Sequence, residues 1–215
     1  MRNIIIENLI RRISKKIISE RKSDELSLNI SRYIVNQFKE KEDFEFEGIY
    51  FHRGNEEASF DLFCEFVEDK NMDDPFSIDA GADAQVMEIK ITYNPKYFPK
   101  AMNDLVVEIK ETVEHELEHI EQQTFEDMEL EKEEETEDED YINYLTSKKE
   151  IPAYVRGLIR RSKTKKMTLS DTMDEWFKEN IKNFENPTSD WKKVKKIWMD
   201  FAKEMREKEK VKKFK

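Results

Sequence analysis

The spacing of apolar residues changes period twice along the chain, from helical to alternating and back. Ile6, Leu9, Ile10, Ile13 and Ile17 recur at helical intervals, which predicts an amphipathic N-terminal helix. From Asp24 to about Lys39 a second helix follows, with Ile30, Tyr33, Ile34 and Phe38 on one face. The period then falls to two. Phe44, Phe46, Ile49 and Phe51 slip in parity at Gly48, the signature of a strand carrying a bulge. Phe60, Leu62, Cys64 and Phe66 alternate with Asp61 and Glu65, and Met87, Ile89, Ile91 and Tyr93 alternate with Glu88, Lys90 and Thr92. Turn material, Asp73-Asp74-Pro75 and Ala80-Gly81-Ala82-Asp83, lies between them. Three or four short strands on short connections predict a small, mainly antiparallel sheet.

The helical period returns from Ala101 to about Gln123, where Met102, Leu105, Val106, Ile109, Val113, Leu117 and Ile120 make one stripe. Residues 126–140 are strongly acidic with few apolar anchors, and read as a solvated loop or a frayed helix end. A further helical region begins near Ser147. Two more close the chain, one carrying Met173, Trp176, Phe177 and Ile181, the other Trp191, Val194, Ile197, Trp198, Phe201 and Met205. Asn186-Pro187 separates them, with Thr188 or Ser189 as the expected cap. The expectation is a single α+β domain over 1–215: N-terminal helices over 1–40, a core over 41–165 in which the sheet packs on the 101–123 helix, and a helical extension over 166–215.

Composition narrows the class. At 215 residues the chain is long enough for a real core, and 40% charged against 37% apolar residues is the balance of a helix-rich protein with a heavily charged surface. A net charge of −11 excludes a general nucleic-acid binder, which needs clustered Lys and Arg. The single cysteine, Cys64, excludes an intramolecular disulfide and a metal site built from cysteines. Glu7, Arg11 and Arg12 interrupt the N-terminal apolar residues, so no signal peptide is read there and no membrane span anywhere; a cytoplasmic location is expected.

Candidate chemistry concentrates in His115-Glu116-Leu117-Glu118-His119, which holds two of the three histidines. Residues four apart stack on one face of a helix, so both imidazoles can reach one tetrahedral zinc ion. Glu116 sits one step round, close enough to take a proton from a zinc-bound water without ligating the metal. At about 100° per residue, both histidines lie roughly 130° from the centre of the apolar stripe, which is not where core histidines sit.

The strand over 86–93, the helix with the HELEH motif and a later helix beginning near Glu150 together resemble the zincin metallopeptidases over about residues 85–160. Within that group the arrangement resembles the gluzincins, whose third ligand is a Glu on a downstream helix in the pattern E-x-x-A. Glu150-Ile151-Pro152-Ala153 matches it. A metzincin would carry Gly and His where this chain has Gln122 and Phe125, and His52 reads as lying on the outer face of its strand. The chain also resembles small HExxH proteins encoded in tailed-phage genomes, which implies a viral origin. The resemblance implies a zincin-like fold, one Zn2+ ion held by His115, His119 and Glu150, and a protein or peptide substrate cleaved as by an endopeptidase. It further implies that the strand Met87–Tyr93 acts as an edge strand pairing with extended substrate.

Two readings of Glu150 stand side by side. Ser147-Lys148-Lys149-Glu150 spells a capping box, in which Glu150 bonds back to the Ser147 amide. That register puts Pro152 where its missing N–H begins to cost the helix, whereas a start one or two residues later leaves Glu150 at the helix mouth as a ligand. An acid from 126–140 competes for the same place. Tyr154, one turn on, is the candidate donor to the oxyanion, with packing beside the site as its bland alternative. The expected activity is zinc-dependent peptide hydrolysis with Glu116 as general base; the rival is a catalytically silent protein that keeps the fold for a structural or interaction role.

Overall fold

A computed structural model describes residues 23–53, 56–125, 141–184 and 186–212. The expected N-terminal helix and the acidic stretch 126–140 lie outside the described residues, as does the side chain of His52. Contacts along the chain divide it into two compact units, Met1–Glu129 and Leu130–Lys215.

The first described element of the first unit is α1 (Ser23–Glu40), whose Leu26, Ile30, Ile34 and Phe38 are buried at helical spacing. Four strands follow: β1 (Phe44–Arg53), β2 (Glu56–Glu68), β3 (Phe76–Ala82) and β4 (Val86–Tyr93). They form one sheet in the order β1-β2-β4-β3. The bulge sits where the parity slip put it. The β1–β2 register shifts between Phe46 and Ile49, Gly48 takes a positive φ of 65°, and its amide donates to Asp61 Oδ1 at 2.7 Å. Only a residue without Cβ enters that conformation cheaply.

The sheet is mixed rather than mainly antiparallel. β1–β2 and β3–β4 are antiparallel, but β2 and β4 run parallel. Alternation reports which face a side chain takes, not which strand lies beside which. Here the chain leaves β2, steps out to β3 and returns as β4 between them, so β4 must run with β2. This corrects the edge role expected for Met87–Tyr93: β4 pairs with β2 on one side and β3 on the other along its length. Its N–H and C=O groups are used, and the edges of the sheet are β1 and β3.

The helix with the HELEH motif, α2 (Met102–Phe125), lies across the apolar face of this sheet. Leu105, Ile109, Val113, Leu117 and Ile120 pack with Leu62, Met87, Ile89 and Ile91 and with the stripe of α1 in one core. The turn between β4 and α2 is set by Asn94, 1% exposed, which accepts from the Lys96 amide and donates to the carbonyls of Lys70 and Met72. Those bonds, with the Tyr97 hydroxyl on the Asp73 carbonyl at 2.6 Å, fix where the chain turns toward α2. At the other end Gln123 Nε2 donates to the carbonyl of Ala82, the last residue of edge strand β3.

The second unit is helical: α3 (Tyr141–Leu145), α4 (Glu150–Lys165), α5 (Leu169–Asn180) and α6 (Pro187–Lys212). Its core holds Leu145, Val155, Leu158, Met173, Trp176, Trp191, Val194 and Trp198. Thr168 caps α5 by accepting from the Asp171 amide. The last helix starts at Pro187, ahead of the expected Thr188 or Ser189 cap, because proline at the first helical position gives up only an amide that has no partner inside the helix. The chain is thus an α+β protein with a small mixed four-stranded sheet and six α-helices among its described residues. No helix among them is long and apolar enough to cross a membrane.

Candidate metal centre

Helix α2 binds the sheet through one stripe, so its other faces are available for polar work. One turn apart, His115 and His119 point toward each other, Nε2 to Nε2 at 3.1 Å with the rings at 77°. At that separation two neutral imidazoles share one proton, one ring donating and the other accepting. A metal ion held by both nitrogens would take the place of that proton. With Zn–N bonds of ~2.0–2.1 Å at a tetrahedral angle, the two nitrogens stand about 3.3 Å apart, so the pair fits a zinc ion with a shift of tenths of an ångström.

Burial on this helix departs from the pattern. His119 is 5% exposed and Glu116 6%, although neither belongs to the apolar stripe. Glu114, Glu118 and Gln122, one turn apart from each other, are buried as well, and Gln122 Nε2 donates to Glu118 Oε1 at 3.3 Å. Sequence reading missed this row: charged and amide residues off the stripe read as solvated, and nothing in their spacing marks them otherwise. A buried carboxylate is costly unless it is hydrogen-bonded or paired. Each of the three makes interactions beyond the one stated, and none is an orphan.

Glu150 opens α4 and is 4% exposed. The geometry contains half of a capping box. Ser147 Oγ accepts from the Glu150 amide at 3.2 Å, while the Ser147 amide donates to the Tyr144 carbonyl at 3.1 Å and so has its acceptor in the preceding turn. Pro152 is the third residue of the helix, within the turn whose amides lack internal acceptors, where its missing N–H costs little. Among the described residues, His115 and His119 of the first unit and the buried Glu150 of the second each offer one atom able to ligate a metal. Two imidazoles and a carboxylate are a donor set that suits zinc in a catalytic site, with a fourth position left for water.

Tyr154 is built into an aromatic cluster of the second unit. Its ring stacks on Trp198 at 5.1 Å and 14°, meets Trp176 edge-on at 5.4 Å, and stands perpendicular to Tyr144 at 6.2 Å. Burial above all, then the neighbouring phenols of Tyr144 and Tyr141 and the charge of Glu150, hold its hydroxyl far above the ordinary tyrosine range. It therefore keeps its proton at any ordinary pH. Arg161, 3% exposed on the same helix, is held by two 2.7 Å bonds to the Glu179 carboxylate, an ion pair that braces α4 on α5.

No protein-family model, no curated protein and no solved structure matches this chain.

Proposed function

We propose that the protein is a zinc-dependent metallopeptidase of zincin-like, gluzincin type, with His115, His119 and Glu150 as metal ligands and Glu116 as general base. The observation that carries the reading is the 3.1 Å approach of the two imidazole nitrogens on one helical turn, with a carboxylate at the next residue. A structural zinc site closes its coordination with four protein ligands and has no use for a base; two imidazoles, one carboxylate and an adjacent Glu are the parts of a hydrolytic one.

Bound there, the zinc ion would supply a Lewis acid and lower the pKa of water to about 7. Glu116 takes a proton from the attacking water as its oxygen bonds to the scissile carbonyl carbon, and the carbonyl π pair moves onto oxygen. Glu116 then gives that proton to the departing amine as the C–N bond breaks. The substrate is a protein or peptide, cleaved internally, and the setting is the cytoplasm of a virus-infected cell.

The test is zinc content with turnover. Purified protein is expected to hold close to one zinc per chain and to cleave an unfolded protein substrate. Glu116→Gln should keep the zinc and lower kcat by roughly 10²–10⁴-fold, the usual contribution of a positioned base. Undiminished cleavage by Glu116→Gln refutes the assigned base. A zinc-loaded wild type inert toward every peptide offered refutes peptidase activity and leaves a metal-bearing structural protein.

A further inference from the structure

Helices α1 and α2 cover one face of the sheet, and the core lies beneath them. Strand alternation sends the intervening residues to the other face. The register sets them in rows across the strands, with Glu45, Phe63, Glu88 and Gly81 in one and Glu65, Lys90 and Asp79 in the next. Phe63 is half-buried and the other six are exposed, so among the described residues no element packs over these rows. Together they line a groove of about 820 Å³. Lys90 pairs with Glu65 at 3.2 Å, while Glu45 and Glu88, the direct cross-strand neighbours of Phe63, are turned to solvent. Acidic residues outnumber basic ones more than two to one over 23–125, so the field of the whole unit adds to theirs. Gly81 is an independent mark. Its backbone is of a kind any residue adopts, and a Cβ added to it meets nothing within 4 Å. Glycine inside a strand costs roughly 0.5–1 kcal/mol relative to alanine, and neither backbone strain nor packing in this unit requires it. Such a gap in a strand suits close approach by another backbone.

We propose that this outer face is a docking surface for an extended, arginine-bearing segment of a partner protein. One guanidinium lies on the Phe63 ring between the carboxylates of Glu45 and Glu88, and the backbone of the segment crosses the sheet over Gly81. Phe63 and Gly81 are two strand spacings apart, roughly 10 Å, which three residues of extended chain span. Arginine is the cation that fits, because its planar, weakly hydrated group stacks on an aromatic face while its N–H fork donates to carboxylates at the edge. A bare metal ion would use the carboxylates but neither the ring nor the gap. The surface lies on the face of the sheet opposite α2, so the inference goes beyond the zinc-peptidase reading and stands apart from the metal centre.

The experiment titrates the full chain against a short labelled peptide with arginines spaced by alanines, read by fluorescence anisotropy, with the melting temperature of every variant measured. Wild type should bind this peptide more tightly than its lysine twin. Phe63→Ala should lose about two- to fivefold in affinity, and with it most of the preference for arginine. Glu45→Gln with Glu88→Gln should lose roughly tenfold. Glu40→Gln with Asp74→Asn removes as much charge from exposed positions elsewhere in the same unit, and should lose less than about twofold. Gly81→Val fills the gap and should bind on the order of tenfold more weakly. It should melt no lower than wild type, because its Cβ has room and valine favours a strand. Absence of binding by wild type, equal losses in the two charge variants, or wild-type affinity in Gly81→Val would overturn the proposal. A free protein that sediments as a dimer, and as a monomer in Gly81→Val, would overturn it by assigning the face to a second copy of the chain.

Discussion

The Nε2 atoms of His115 and His119 stand 3.1 Å apart across one turn of α2. Their helix is anchored through the opposite stripe, Leu105, Ile109, Val113, Leu117 and Ile120, into the sheet. The ring pair is therefore held by a rigid element rather than a loop, and metal affinity should depend on both rings together. His119→Ala and His115→Ala are each expected to lower zinc affinity on the order of 100-fold or more, since even residues that only orient ligands cost 10–100-fold. Competition with a chromophoric chelator measures it; zinc retained at wild-type affinity by either variant would remove the site.

Glu150 is the proposed ligand on which the gluzincin reading turns. Glu150→Ala keeps the backbone bond to Ser147 Oγ, because that bond uses the amide. Helix α4 should therefore remain and only the carboxylate be lost. The expected outcome is a clear loss of zinc affinity, by at least tenfold, with an unchanged far-ultraviolet circular dichroism spectrum. Equal zinc affinity in wild type and Glu150→Ala would assign the third position to another acid.

Trp198 is fully buried, donates from Nε1 to the Leu145 carbonyl at 2.9 Å and carries the ring of Tyr154 on its face. Trp198→Ala should destabilise the protein by about 3–5 kcal/mol in urea denaturation through the cavity it leaves. Trp198→Phe should cost less, about 1–3 kcal/mol, chiefly by leaving the Leu145 carbonyl without its donor. A loss below about 1 kcal/mol in Trp198→Ala would mean that the cluster is not packed as described.

Burial, with a contribution from Asp43, pushes the Cys64 thiol up to about 12 from an ordinary 9.0. The native thiol should resist Ellman's reagent at pH 8 and react fully in urea. Because the folded value is the raised one, stability from this group is intact below pH 9 and is lost as pH climbs toward 12. Cys64→Ala should flatten that alkaline part of the stability curve. Rapid labelling of the folded protein at pH 8 would contradict the buried placement.

Much of the secondary structure was legible because it is written in local periods. The stripe of α2 and the alternation of β2 and β4 follow from backbone geometry acting over a few residues, as does the slip at Gly48, where a positive φ admits the extra residue. The HELEH spacing is of the same kind: four residues make one helical turn wherever the helix lies.

What the local periods do not contain is the choice of neighbour. The placement of β4 between β2 and β3, which denies it the edge role, depends on pairings between residues far apart in the chain. The burial of Glu114, Glu118 and Gln122 away from the apolar stripe is likewise a property of the folded chain, as is the stacking of Tyr154 on Trp198. The sequence by itself therefore determined which residues share a face and which two histidines share a turn, because those are short-range consequences of backbone pitch. Only the tertiary structure decided which strand is an edge, which polar groups are withdrawn from water and where the Tyr154 ring is stacked, because each of these is set by packing between distant segments.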